Sequence, residues 1–316
     1  MHKQIFISEV WWSGGFLIAE IAKMNGYDLG RKTNSSHDNV FAWKNGPFYS
    51  MDGNQSPDSL QDILETKWPF DSVSPDDITA FQNCILGARS INKHSHNCCK
   101  LPTLSLMAPI VKQAFPDAPI ISVVRNGIDV SLYESDNYFL RLLIQDKASR
   151  PQTPYEINFV DALGYLFTAT GDLRWKIQPT SEFGWNIQSR TTPVLWNLLY
   201  GLRWVMINDR LRMDVENHDI KSHHTIRFER IAAEDKYEIE KLQSILKIPG
   251  KLKMPSINKS EIFPYRSKVL PIFQAEQPND NAVKSLRMIY KICKPYLEYF
   301  KYSETIELFE NLEAIQ

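Results

Sequence analysis

Four cysteines in 316 residues are too few to staple a chain of this length, and two of them, Cys98 and Cys99, are neighbours, a spacing at which a mutual disulfide is strained. A reducing compartment is therefore expected, and the chain reads as cytoplasmic. Long apolar runs are scarce as well. Ser8 and Glu9 break the first one, which argues against a signal-peptide core, and no stretch approaches the roughly 20 residues a bilayer crossing needs. An excess of one charge is missing too: 36 Lys and Arg against 37 Asp and Glu leave a net charge of −1, so no global field draws the molecule to nucleic acid or an anionic membrane. Any anion site has to be local. Repeats and low-complexity tracts are lacking. What is present is 43% hydrophobic residues, enough for one large core, and a single α/β domain over residues 1–316 is expected.

The apolar run Ile5, Phe6, Ile7 has no alternation, as in a strand buried on both faces of a parallel sheet, and Phe16, Leu17, Ala19, Ile21 and Ala22 then recur as an apolar helix face. Residues 30 to 54 are rich in Asn, Ser, Gly and His and read as a loop. "SPDDITAFQNCILGAR" predicts a helix with Ser74 as N-cap, Pro75 at the first helical position and acids in the first turn. Next come a helix predicted from near Thr103, a turn at Pro116-Asp117 and a strand "PIISVV" that delivers Arg125. Helix, turn, strand, polar turn, helix is the grammar of a central parallel sheet flanked by helices. Residues 136 to 215 read as a mostly helical insertion, "HTIRFE" as a strand, "KYEIEKLQSILKI" as an amphipathic helix, and "AVKSLRMIYKICKPYLEYF" as the closing helix.

Chemistry concentrates at two corners. In "VWWSGGF", a strand runs into Ser13, Gly14 and Gly15 and then a helix; unpaired N–H groups and the helix dipole there suit a phosphate, with Ser13 adding a hydroxyl. A tight turn with no ligand explains the same residues. The Lys-Ser/Thr pair that should follow the glycines in a magnesium-nucleotide loop is absent, which disfavours a P-loop kinase or nucleotide hydrolase. In "ISVVRNGIDVSLY", Arg125 ends a strand on the same sheet edge, where a guanidinium can fork onto a phosphate. Two anion-competent corners suggest a ligand with two separated phosphates.

At these positions the sequence resembles the sulfotransferases that use 3′-phosphoadenosine 5′-phosphosulfate. The family's first signature, a strand followed by P-[RK]-S-G-T-T gripping the 5′-phosphosulfate, corresponds to "WWSGGF", Trp11 to Phe16. Its second, a strand ending in R-[ND]-P-x-D-V, corresponds to "RNGIDV". "CCKLP" stands where the family carries K-x-P or K-T-H-x-P, ending 23 residues before Arg125, and "HTIRFERIAAEDKYEIEKLQSILKIP" is similar to a later segment. "MNGYDLGRKTNSSHDN" also looks like the bacterial branch. The resemblance implies a P-loop-like fold, sulfuryl transfer from 3′-phosphoadenosine 5′-phosphosulfate to a small-molecule or glycan acceptor, adenosine 3′,5′-bisphosphate as product, and no metal.

By that resemblance, Trp11, Trp12, Ser13, Gly14, Gly15, Phe16, Arg125, Tyr133 and Arg266 would bind the donor, Asp38, Asn39 and His94 the acceptor, and Lys100, His37 and Glu9 would act in catalysis. Lys100 would stabilise the leaving phosphate or the sulfate; a solvated lysine at a helix start is the plain alternative. For the base, His94, His96, His37, Asp38 and Glu9 are all chemically possible, and Glu9 could instead repel the donor's charge. The departures are specific. The loop cation of the family aligns with Trp12, its two hydroxyl positions with Gly15 and Phe16, and its later serine with Tyr133. Weaker donor binding, or a sulfotransferase-like protein that binds without turnover, would follow. Arg227 and Glu229 read as structural, as do the tryptophans between 175 and 204.

Overall fold

The computed structural model describes residues 4–10, 13–29, 73–87, 96–100, 104–105, 107–132, 193–257, 269 and 280–314. They divide into two compact units, one drawn from residues 1–125 and 207–262 and the other from 126–206 and 263–316.

The first unit holds a parallel sheet of five strands, β1 (Gln4–Glu9), β2 (Tyr27–Asp28), β3 (His96–Lys100), β4 (Ile120–Val124) and β5 (His223–Arg227), in the order β2-β3-β1-β4-β5. Every pairing in it is parallel, with Phe6 opposite Cys99 and Ile120, and Ile121 opposite His224. The α/β class expected from the sequence is the class observed. One face is covered by α1 (Gly15–Met24) and, later in the chain, α6 (Phe228–Ala232) and α7 (Lys236–Leu246). Ile5, Ile7, Ile121, Val123 and Ile226 pack there against Ile18, Ile21, Ile231, Leu242 and Leu246. The other face is covered by α2 (Pro75–Gly87) and α3 (Ala108–Ala114), where Phe6 lies 5.2 Å from Phe115 and 6.4 Å from Phe81, ring centre to ring centre. A sheet covered on both faces needs continuous apolar strands, which is why β1 and β4 show no alternation.

On the α2 side the middle of the sheet carries a polar chain. Ser8 Oγ lies 2.8 Å from Ser122 Oγ, which lies 2.8 Å from Nε2 of His223. Burial first, then His224 and Lys241, push the His223 imidazole down to about 4, so it stays neutral and satisfies the serines.

The start of α2 is as the sequence predicts. Asp77 N donates to Ser74 Oγ at 3.1 Å and Ser74 N to Asp77 Oδ2 at 3.0 Å, a reciprocal capping box closed by an aspartate. Two boundaries differ. The helix expected from near Thr103 begins at Ala108, after a tight turn at Leu104–Ser105, which places Pro109 in the first turn, where a proline forfeits no intrahelical hydrogen bond. The helix α8 (Asp280–Tyr299) does not close the chain: Lys301, at φ 61°, turns it into α9 (Ser303–Ala314).

The second unit contains α4 (Gly127–Leu132), α8, α9 and the first part of α5 (Pro193–Asn217). Trp204 is fully buried within it, edge-on to Tyr296 and Phe300, and its indole lies where a Cβ on Gly127 would sit, 2.6 Å away. This explains why a glycine follows Asn126. The Asn126 side chain accepts from Ile128 N at 2.9 Å, starting α4, and donates to Thr305 Oγ1 at 2.5 Å.

Candidate functional site

The strand order reverses at β1: the chain leaves β1 for β2 on one side, and β4 and β5 follow on the other. In open α/β sheets the crevice beyond the carboxyl ends at such a switch point is where ligands bind. The ends of β3, β1 and β4 deliver Lys100, Glu9 and Arg125 to it. Register puts their side chains on one face. Lys100 is opposite Ile7, Glu9 is two residues beyond Ile7 and opposite Val123, and Arg125 is two beyond Val123.

The turn after β1 is built on Gly14, at φ +88° in the left-handed region, which caps α1 without a side-chain bond; no acid stands in the helix's first turn. The missing cap comes from the strand. Gly15 N donates to Glu9 Oε2 at 2.5 Å, and a Cβ at position 15 would stand 2.7 to 3.0 Å from the carboxylate atoms. Only a glycine lets the carboxylate lie against this backbone. Lys100 Nζ is ion-paired with Glu9 Oε1, the two side chains being 19% and 5% exposed. Lys100 is therefore a strand residue held by a buried acid, which corrects the alternative of a solvated lysine at a helix start. Ser13 is buried, with no hydrogen-bond partner for its hydroxyl among the described residues. Phe16, expected among the donor-binding residues, is the second residue of α1 and 46% exposed.

Arg125, buried in the same unit, holds its guanidinium 4.9 Å from the ring centre of Phe228. The same ring presses on the turn after β1, since a Cβ on Gly14 would fall 2.1 Å from Phe228 Cδ2. Phe228, the first residue of α6, thus touches both corners. The sequence reading carried the strand through Phe228 to Glu229 and passed over the ring; β5 ends at Arg227, and Phe228 opens α6 at the rim.

Ser13, Gly14, Gly15, Glu9, Lys100 and Arg125 thus converge on one rim of one unit. Trp11, Trp12, His37, Asp38, Asn39, His94, Tyr133 and Arg266 lie outside the described residues. Among the described residues no group of three or more His, Cys, Asp or Glu could hold a metal ion, and no helix is long and apolar enough to cross a membrane.

The rim thus combines a helix N-terminus capped by Glu9, the cations Lys100 and Arg125 and the buried Ser13 hydroxyl, at the switch point of a parallel α/β sheet. No family model and no curated protein sequence matches the chain. Among solved structures, the crystal structure of the sulfotransferase STF9 from Mycobacterium avium is a distant neighbour, at 11% identity over 94% of this chain and 76% of that one, with a TM-score of 0.42.

Proposed function

We propose that the protein is a sulfotransferase that takes a sulfuryl group from 3′-phosphoadenosine 5′-phosphosulfate to a hydroxyl or amine of a small-molecule or glycan acceptor. One observation carries the reading: the ends of three adjacent strands bring Lys100, Glu9 and Arg125 to one rim beside the Ser13-Gly14-Gly15 turn. The donor's chemistry fits these groups. The Gly15 N–H and the buried Ser13 hydroxyl, which has no hydrogen-bond partner among the described residues, suit its 5′ end, and Arg125 suits its 3′-phosphate. The donor supplies an activated sulfuryl group. Lys100 supplies positive charge where the departing phosphate oxygen gains negative charge, and Glu9 is the carboxylate available to take the acceptor's proton.

A second reading, a sulfotransferase-like protein that binds without turnover, is favoured by the Phe228 ring against Gly14 and Arg125. Titration with adenosine 3′,5′-bisphosphate, against ATP with magnesium, tests the first reading. Binding at a concentration of 100 Kd raises stability by about 2.7 kcal/mol, and the expected result is stabilisation by the bisphosphate alone, lost in Arg125→Ala. Donor-dependent sulfation of phenols, sugars and lipid-like alcohols separates the two readings; indifference to both nucleotides removes the first.

A further inference from the structure

We infer that Glu9 is an internal stand-in for the anionic ligand, holding the cradle at the start of α1 in the free protein and leaving it when a phosphate or sulfate group enters, so that Glu9 determines which anions this corner accepts. The inference rests on the proposed donor reading only in taking this cradle as the place of the donor's 5′ end.

Three observations carry it. The carboxylate fills the place an incoming anion would take, hydrogen-bonded to Gly15 N at 2.5 Å and flat against the Gly15 Cα, where even a methyl group would be within 3.0 Å of it. Lys100 is engaged by the same carboxylate through Oε1, so an arriving anion competes with Glu9 for that cation. And the carboxylate does not exhaust the donors of the turn, since the fully buried Ser13 hydroxyl has no partner among the described residues. A tetrahedral anion has more oxygens than a carboxylate and can take up Ser13 along with Gly15 N and Lys100.

Two anions cannot share the cradle, because each raises the cost of charging the other. Ligand affinity here is a difference between the ligand's contacts and those of Glu9. A monovalent carboxylate gains nothing over the resident one. A phosphoanhydride or phosphosulfate brings more charge and more acceptor atoms, and it releases the Glu9 carboxylate at the rim.

Inorganic pyrophosphate is the probe, titrated into the full-length protein by calorimetry while the Gly15 amide resonance is followed. The expected result is weak binding that moves the Gly15 resonance, no effect of acetate at equal concentration, and affinity in Glu9→Gln higher by about tenfold or more, the equivalent of one charge-assisted hydrogen bond. Glutamine keeps an acceptor for Gly15 N. Should the variant still fail to fold, the wild-type Gly15 shift decides: saturation with pyrophosphate and not acetate supports the exchange, and an unmoved resonance overturns it. Equal or weaker pyrophosphate binding by a folded Glu9→Gln protein also overturns it. The donor reading is tested separately by adenosine 3′,5′-bisphosphate. If pyrophosphate behaves as expected and the bisphosphate binds neither protein, the exchange stands and the donor reading falls. If pyrophosphate leaves Gly15 unmoved and the bisphosphate still binds in an Arg125-dependent way, the exchange falls and nucleotide binding stands without it.

Discussion

The Phe228 ring leaves no room for a side chain at Gly14, and this is testable by substitution. Gly14→Ala has to adopt a left-handed backbone and push the phenyl ring aside, since the new Cβ would lie 2.1 Å from Cδ2. A left-handed non-glycine residue costs roughly 1–2 kcal/mol and overpacking typically about 1–3, so a loss of about 2–5 kcal/mol in denaturant unfolding is expected. In a Phe228→Ala background only the backbone part remains, and the cycle should show coupling of about 1 kcal/mol or more. Equal losses in both backgrounds would refute the contact. Lys100 offers a second test. Lys100→Met strands a carboxylate that is 5% exposed, at a cost near 3 kcal/mol by analogy with other buried pairs, whereas adding Glu9→Gln restores much of it. At this scale the sequence was partly legible. Glycines, a strand-end arginine and a lysine before a proline are types with few other reasons to occur together. The pairing of Glu9 with Lys100 was not legible, because it depends on β3 lying beside β1, and nothing local in "HNCCK" marks a strand: its burial comes from two cysteines instead of branched residues.

Among the elements, α2 shows local sequence acting alone. Ser74→Ala removes the acceptor for Asp77 N and the start of the capping box, and should cost about 1 kcal/mol in a urea titration. The central strands behave differently, since their polar chain depends on one imidazole. The His223 pKa is lowered in the folded state to about 4, against about 6.5 in the unfolded chain. Between these values the unfolded state binds the extra proton. Stability is therefore full above pH 6.5 and falls as pH drops toward 4, by up to about 3 kcal/mol from this group. His224, lowered by burial and then by Lys241, adds in the same direction. His223→Gln should flatten the pH dependence between 4 and 6.5; an unchanged profile would show that the loss arises elsewhere. Helix starts such as Ser74-Pro75 could be read from spacing, and so could strands β1 and β4. The start of α3 was marked by Pro109, a first-turn residue that the reading passed over, whereas the existence of α9 was not legible, because it depends on Lys301 taking a left-handed backbone.

For the whole molecule, the sheet class followed from two apolar strands without alternation, while the strand order could not, since period says nothing about neighbours. Burial of the thiols gives a test of the two units by the same reagent. Cys98 and Cys99 lie in the sheet unit and Cys293 in the other, all buried; burial pushes the Cys98 and Cys99 thiols well up and that of Cys293 up to about 12. Neither thiolate formation nor access is available in the folded protein. Mass-resolved alkylation should leave all three unlabelled in buffer and label them only through the unfolding transition; rapid native labelling of Cys98 or Cys99 would contradict the place of β3 between β2 and β1.

Strand β1 is made first and ends up in the middle. Its neighbours on either side are supplied by residues 96–100 and 120–124, and the far edge by residues 223–227. A ribosome-bound chain therefore carries the apolar core of β1, Ile5 to Ile7, without its sheet neighbours through the synthesis of about 90 further residues, at roughly 5–20 residues per second. The sheet assembles by non-local pairing, which is slow. A nascent chain of this protein thus has several seconds in which an open apolar edge is available to other chains, and its yield in cells should depend on chaperones more than its final stability suggests.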